Sequence, residues 1–222
     1  MSTNADFELY AFWRTAATHR VRIALNMKGL VANERFVDLE KGEQTSPAYL
    51  SINPAGVIPA LVEDGYPPLT QSMAILEFLE EKVPQPPLLP SDLHGRARVR
   101  SLSALLVTDT NSLLPPRVKK YLSLHGGFDE AAWQAWQVHW LTSNLESLER
   151  RLATDPQTGR FCHGDTPTMA DICLVSIVFR AQALQVDLDS MPTLRDIAAN
   201  CAALDAFARA HPLLQEGAPR DA

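Results

Sequence analysis

The sequence predicts a small α/β unit followed by an all-helical one. Two observations carry that division. Pro84, Pro86, Pro87 and Pro90 cluster within residues 83–91, a stretch that cannot continue a helix and reads as a stiff, extended linker. Before the cluster, short apolar runs alternate with helical periodicity; after it, only spacings of three and four recur. The two units are therefore expected at residues 1–84 and 92–222.

In the first unit, residues 7–13 are apolar and aromatic and read as a strand. Residues 18–29 read as a helix, with Val21, Ala24, Leu25 and Lys28 on one line and Gly29 placed to end it. Residues 34–39 read as a second strand, 47–52 as a short irregular helix and 57–63 as a third strand. Asp64-Gly65 marks a hairpin into a short strand near 67–69. Residues 72–82 form a second long helix, with Ile75, Leu76 and Leu79 facing the core. The order is βαβαββα, whose first half demands a parallel strand pair with a right-handed crossover.

In the second unit, residues 93–124 carry helical patterning broken at Pro115-Pro116. Residues 129–154 repeat Trp133, Trp136, Trp140, Leu141, Leu145, Leu148 and Leu152 as one buried stripe. Residues 168–184 are strongly apolar and open on Thr168-Met169-Ala170-Asp171, a pattern like a capping box. Residues 193–210 give one further helix.

Composition narrows the function classes. The 222 residues are 46% apolar and 21% charged, as a globular chain with a core requires. The net charge of −6, without a run of like charges, argues against nucleic acid or an anionic membrane as the main partner. Cys162, Cys173 and Cys201 are odd in number and form no C-x-x-C, so neither a disulfide scaffold nor a thiolate metal cage is expected. The six histidines are dispersed, and no metal site is predicted. Residues 1–6 are polar with no signal-like apolar run after them, and no stretch approaches bilayer length. A cytoplasmic location is the expectation.

Four stretches stand out: Phe12-Trp13-Arg14-Thr15 leading into Arg20-Val21-Arg22-Ile23-Ala24-Leu25, Asn53-Pro54 with Val57-Ile58-Pro59-Ala60-Leu61, Gln71-Ser72-Met73-Ala74-Ile75, and the run from Gly164 to Asp171. Together they resemble the cytosolic glutathione transferases, and within them the zeta class of maleylacetoacetate and maleylpyruvate isomerases. Gln185-Val186-Asp187-Leu188 is similar to the class as well. The resemblance spans nearly the whole chain. It implies a thioredoxin-like first domain that binds glutathione, an all-helical second domain that binds substrate, and a homodimer.

The resemblance implies the following sites. Thr15 takes the position of the serine that activates the glutathione thiol, while Ala16 and Ala17 replace the serine and cysteine that usually follow. A hydroxyl hydrogen bond together with a helix N-terminus favours a thiolate. Thr18 is either a further hydroxyl or the plain cap of the first helix. Ile58 before a cis Pro59 offers its backbone N–H and C=O to an extended peptide. Gln71 and Ser72 open a helix whose N-terminus suits a carboxylate, and Ser72 also reads as a simple N-cap. Gln44 and Asn111 match further glutathione contacts. Arg14 and Arg117 are candidates for the substrate carboxylates, with a surface arginine as the competing view of Arg14. Gln182-Ala183 stands where maleylpyruvate isomerases carry arginines, and Arg180 lies three residues before Ala183.

The implied reaction is cis–trans isomerisation of a maleyl-type acid by addition of glutathione thiolate, rotation and elimination. Conjugation or dehalogenation of another electrophilic acid, and a non-catalytic glutathione-binding protein, are the alternatives.

Overall fold

The computed structural model describes residues 5–219. Residues 5–88 together with 204–219 form one compact unit, and residues 89–203 form another. The division after Leu88 falls within the proline segment. The C-terminal end differs: the last segment, expected with the helical unit, packs with the first.

The first unit is built on a four-stranded sheet in the order β2-β1-β3-β4. Strand β1 (Phe7–Ala11) pairs in parallel with β2 (Ala32–Phe36), joined by helix α1 (Ala16–Lys28). Gly29 ends α1 in the left-handed conformation at φ 67°, which a Cβ would disfavour. A short helix α2 (Pro47–Leu50) precedes β3 (Ala60–Val62), which runs antiparallel to β1 and to β4 (Leu69–Thr70). Helix α3 (Ser72–Lys82) follows at once and packs against α1. Phe7, Leu9, Ala11, Val21, Ile23, Leu61, Ile75, Leu76 and Leu79 make the core, all buried. Strand β3 is shorter than the expected span of 57–63. Val57 is instead held by side chains, and Pro59 has no N–H to give a ladder.

Three helical segments fix the edges of this unit. The buried Lys28 ammonium lies 2.7 Å from Glu80 on α3 and donates to the Pro86 carbonyl at 2.6 Å, while Glu80 accepts from the Leu88 N–H. One buried ion pair therefore ties α1, α3 and the proline segment together. Residues 193–210, expected as one helix, divide into α8 (Pro192–Ala202) and α9 (Asp205–Arg209), with Leu204 extended between them. Helix α9 packs on α1, where Asn26 donates to the Ala206 carbonyl at 2.9 Å.

The second unit contains α4 (Leu93–Ala104), α5 (Pro116–His125), α6 (Glu130–Thr154), α7 (Met169–Ala183) and α8. Helix α4 widens into a π-helical stretch, Leu105–Thr110, which the sequence pattern does not show. Pro115 and Pro116 open α5, as expected of residues that break a helix from within but suit its first turn. On α6 the buried positions are Trp133, Gln137, Leu141, Leu145, Leu148 and Leu152; Trp136 and Trp140 are only half-buried. The capping box of α7 is present. The buried Asp171 carboxylate accepts from the Thr168 N–H at 2.7 Å, the Thr168 hydroxyl at 2.8 Å and the Cys162 N–H at 2.7 Å. Cys162, Cys173 and Cys201 are buried and none is in a disulfide. Among the described residues, no helix is long and apolar enough to cross a membrane, and no group of three His, Cys, Asp or Glu side chains is gathered for a metal.

Asp171→Ala leaves those three buried donors without an acceptor. Unsatisfied buried groups cost about 1–3 kcal/mol each, so the variant is expected to lose about 3 kcal/mol or more and to melt several degrees lower. A thermal melt of the variant beside Asp171→Asn, which keeps one acceptor oxygen, checks this.

Candidate active site

Strand register brings three of the sequence-predicted segments to one end of the sheet. Tyr10 of β1 faces Ala60 of β3, and Ala60 faces Thr70 of β4. Because β3 is antiparallel to both neighbours, the C-terminal ends of β1 and β4 and the N-terminal end of β3 coincide. Thr15 follows the first of these ends, Ile58-Pro59 precedes the second, and Gln71-Ser72 follows the third.

Thr15 is the N-cap of α1, with extended backbone at φ −77°, ψ 130°. Its Oγ lies 2.7 Å from the Thr18 hydroxyl and 3.4 Å from the Thr18 N–H. Thr18 is fully buried in the first turn, so the cap falls on Thr15 and not on Thr18. Thr15 itself is half-buried, and Ala16 and Ala17 bring no further polar group. The hydroxyl pair works in either direction. With Thr18 as donor, the Thr15 hydrogen is available to a ligand. No acidic residue stands in the first turn of α1, so nothing there neutralises the positive end of the helix.

The Ile58-Pro59 peptide bond is cis. Both the Tyr49 hydroxyl, at 2.8 Å, and the Asn53 amide, at 2.6 Å, donate to the Val57 carbonyl just before it. Burial pushes the Tyr49 phenol up to about 12, so it stays a donor at any working pH. The β3 ladder begins only at Ala60, two residues beyond Ile58. Gln44 lies beside this turn: a Cβ on Gly56 would stand 3.2 Å from the Gln44 carbonyl, and φ of 61° there also favours glycine. The Gln44 Oε1 atom is buried and has no hydrogen-bond partner among the described residues. A buried acceptor left open next to a candidate site fits a ligand that donates to it.

Gln71 occupies the N-cap of α3 with φ 70° and ψ 112°, a left-handed backbone rare outside glycine. Its side chain makes no cap bond, and the first turn of α3 carries no acid. Ser72 is therefore the first helical residue and not the cap. Its buried Oγ accepts two hydrogen bonds from Arg20, at 3.1 Å from Nε and 3.0 Å from the terminal nitrogen.

The remaining predicted residues are placed differently. Arg14 is exposed, paired with Glu40 at 2.9 Å, with its guanidinium 5.7 Å from both the Phe12 and Trp13 rings. Asn111 and Arg117 belong to the second unit. Asn111 is half-buried in the turn after the π-helical stretch, and Arg117 is exposed in the first turn of α5. Gln182 and Ala183 are exposed at the end of α7. Arg180 donates to the Leu114 carbonyl at 2.9 Å and to Gln137.

Residues 5–81 match the glutathione S-transferase N-terminal domain family, and residues 130–218 match its C-terminal domain family. The chain belongs to the glutathione S-transferase family. It is 45% identical to a maleylpyruvate isomerase from a Ralstonia species, covering 94% of this chain and 98% of that one. It is 40% identical to a maleylacetoacetate isomerase from Pseudomonas aeruginosa, covering 96% and 99%. Among solved structures, a bacterial zeta-class maleylpyruvate isomerase superimposes with a TM-score of 0.92 at 43% identity, over 96% of this chain and all of that one. A maleylacetoacetate isomerase from Methylobacterium extorquens AM1 with bound malonate and glutathione gives 0.93 at 44% identity, over 96% and 99%. This transferase is thus an enzyme of the zeta type.

Sequence reading of the transferase missed Arg20, Tyr49 and Asn53 as supports of the site. Arg20 had a visible signal: it lies three and four residues before Ile23 and Ala24, on a face that is otherwise apolar. A charge on that face has to be answered by a buried partner. Beside it, burial, and then the charges of Arg22, His211 and Arg20, hold the His19 imidazole down at about 3.

The unfolded chain takes up a proton on His19 near its ordinary value of 6.5, while the folded protein stays neutral there until about pH 3. His19 therefore removes stability as pH falls from 6.5 towards 3, by roughly a kcal/mol per pH unit. Melting curves across that window are expected to fall less steeply for His19→Gln than for the parent chain.

Proposed function

We propose that the enzyme isomerises a maleyl-type acid, maleylacetoacetate or maleylpyruvate, from cis to trans with glutathione as cofactor. The observation that carries this is the convergence of Thr15, Ile58-Pro59 and Gln71-Ser72 at one sheet end, in a chain so close to isomerases along its whole length. Glutathione, when bound, supplies a thiolate that adds to the activated double bond and leaves after rotation. The residues on this chain fit it: an open buried acceptor at Gln44, an uncapped helix N-terminus at Gln71-Ser72, and a half-buried hydroxyl at Thr15.

The chain's own tasks divide as follows. Ser72 and the N-terminus of α3 hold a carboxylate of the tripeptide. Ile58 offers backbone groups to its cysteinyl unit, and Gln44 completes the grip within the first unit; Asn111, in the second unit, is a further glutathione contact only as the resemblance implies. Thr15 and the N-terminus of α1 hold the sulfur as an anion. Lowering a thiol from about 8.5 by two units takes roughly 2.7 kcal/mol. A charged hydrogen bond at about 1.5–3 kcal/mol and a helix end at about 0.3–1 kcal/mol supply that without help from positions 16 and 17. Arg14 receives a carboxylate of the acid, and Arg117, in the second unit, is a separate candidate for such a contact. The exposed Arg14–Glu40 pair is worth only about 0–1 kcal/mol, so a substrate carboxylate can replace Glu40 at little cost.

Conjugation or dehalogenation of another electrophilic acid is the second reading. Its support is the absence of arginine at 182 and 183 together with the engagement of Arg180 by Leu114 and Gln137. The proposal also includes a homodimer, as the resemblance implies, and a cytoplasmic location, as expected from the sequence. The relative with bound malonate and the lack of a membrane-length helix among the described residues support a small acid substrate and a protein that does not cross a membrane by such a helix.

An isomerase assay on both maleyl acids, with and without glutathione, decides between the two reactions. Glutathione-dependent turnover of either acid supports the proposal. Turnover confined to chlorinated acids overturns it in favour of the second reading. Thr15→Val is expected to raise the thiol pKa of bound glutathione by about one unit or more and to cut kcat/KM at pH 7 about tenfold. Thr18→Val, which removes only the partner of that hydroxyl, is expected to do the same to a smaller degree. Titration of the thiolate absorbance of the binary complex measures both.

A further inference from the structure

We infer that Arg20 is a positioning residue for the glutamyl α-carboxylate of glutathione, acting through Ser72. The inference rests on the reading of the α3 N-terminus as a carboxylate site. Arg20 is 1% exposed and Ser72 5%. Two nitrogens of the one guanidinium donate to the same Ser72 oxygen, at 3.1 and 3.0 Å. A serine hydroxyl has two acceptor lone pairs and one hydrogen. With both lone pairs taken by Arg20, Ser72 can act only as a donor. Its hydrogen is directed away from Arg20, so the group is fixed in the state that an anion needs. Left alone, a serine in the first turn of a helix rotates freely and accepts as readily as it donates.

The guanidinium also brings charge. It stays protonated at every working pH, and its burial limits screening by water. It therefore sets a permanent positive charge directly behind the Ser72 oxygen and strengthens the pull of the α3 helix end on a carboxylate. The fork geometry matters too: a lysine offers a point charge and cannot place two rigid N–H bonds on one oxygen in the same way. Arg20 stands five residues after Thr15 on α1, about 7 Å along the helix axis. One helix thus carries the group proposed to face the thiol and the group that orders the carboxylate site, which fixes the glutamyl end of the tripeptide against its central cysteinyl thiol.

A purely structural link between α1 and α3 makes a different prediction, because it has no interest in the ligand's carboxylate. The test is calorimetric binding of glutathione and of 4-aminobutyryl-cysteinyl-glycine, which lacks the carboxylate on the glutamyl α-carbon. The full-length protein is used with Arg20→Lys, Arg20→Met and Ser72→Ala. Wild-type protein is expected to prefer glutathione over the analogue by about tenfold or more. Arg20→Met and Ser72→Ala are each expected to lose most of that preference, with little change for the analogue. Arg20→Lys is expected to restore part of it. A double variant is expected to be no worse than Ser72→Ala alone, since both act through one hydroxyl.

The outcomes separate the inference from the reading beneath it. Equal wild-type affinity for the two peptides defeats the carboxylate reading itself. Wild-type discrimination that survives in Arg20→Lys and Arg20→Met overturns the role of Arg20 and leaves that reading intact. A parallel loss of affinity for both peptides shows that Arg20 is only structural. If Arg20→Met does not fold, Arg20→Lys against Ser72→Ala decides, because unchanged discrimination in the lysine variant is by itself enough to reject the role of the arginine fork.

Discussion

The pairing of Tyr10 with Ala60 and of Ala60 with Thr70 is the constraint on which the rest of the first unit depends. Three chain segments far apart in sequence leave or enter the sheet at that level. Because the side-chain period of a strand is two, a slip of one residue in either pairing would turn the buried Ala60 and Leu61 to the wrong face. The apolar core therefore fixes the register, and the register fixes where Thr15, Ile58 and Ser72 stand. None of these residues needs to contribute to the core for its position to be determined by it.

Helices α1 and α3 hold their ends together in an unusual way for a core. Besides apolar contact, two charged side chains of α1 reach into α3: Lys28 to Glu80 at one end and Arg20 to Ser72 at the other. Burying charges costs several kcal/mol each before the partners answer, so such links are poor sources of stability. What they add is direction. An apolar contact tolerates sliding and rotation by a fraction of a turn, whereas a guanidinium fork on one oxygen does not. At the Lys28 end the same device also catches the Pro86 carbonyl and fixes where the proline segment leaves the unit.

Much of this was legible in the sequence, and the failures share a physical pattern. Helix α3 begins and ends where its periodicity and Lys82 put it, and the capping box at Thr168 and Asp171 is as the residues suggest. These are local features, determined within one or two turns. The misplaced features are those decided elsewhere. Residues 193–210 keep helical spacing throughout, yet the helix breaks at Leu204, where the chain passes from one compact unit to the other. The strand at 57–63 shrinks to Ala60–Val62 because Tyr49 and Asn53 capture Val57 from outside the strand. The π-helical stretch at Leu105–Thr110 has no local signature at all. Among the candidate site residues, the partners of Ser72 and Arg14 were not readable, since both partners lie tens of residues away.

The two arginines near the candidate site illustrate why burial decides what a charge can do. Arg14 is exposed, its bond to Glu40 is worth little in water, and aromatic rings at 5.7 Å keep its head near one place without holding it. Such a group can exchange one carboxylate for another during a turnover. Arg20 is buried and cannot move without abandoning its charge in an apolar core, which costs far more than any substrate contact returns. A cofactor that must stay through the cycle and a substrate that must leave call for these opposite properties. On the proposed reading Thr15 is the one hydroxyl offered to the sulfur, and with alanines at 16 and 17 the transferase has little chemical redundancy around the thiol. Its activation then depends on how accurately the tripeptide is held, and that accuracy comes from buried, immobile groups behind the site rather than from additional polar groups within it.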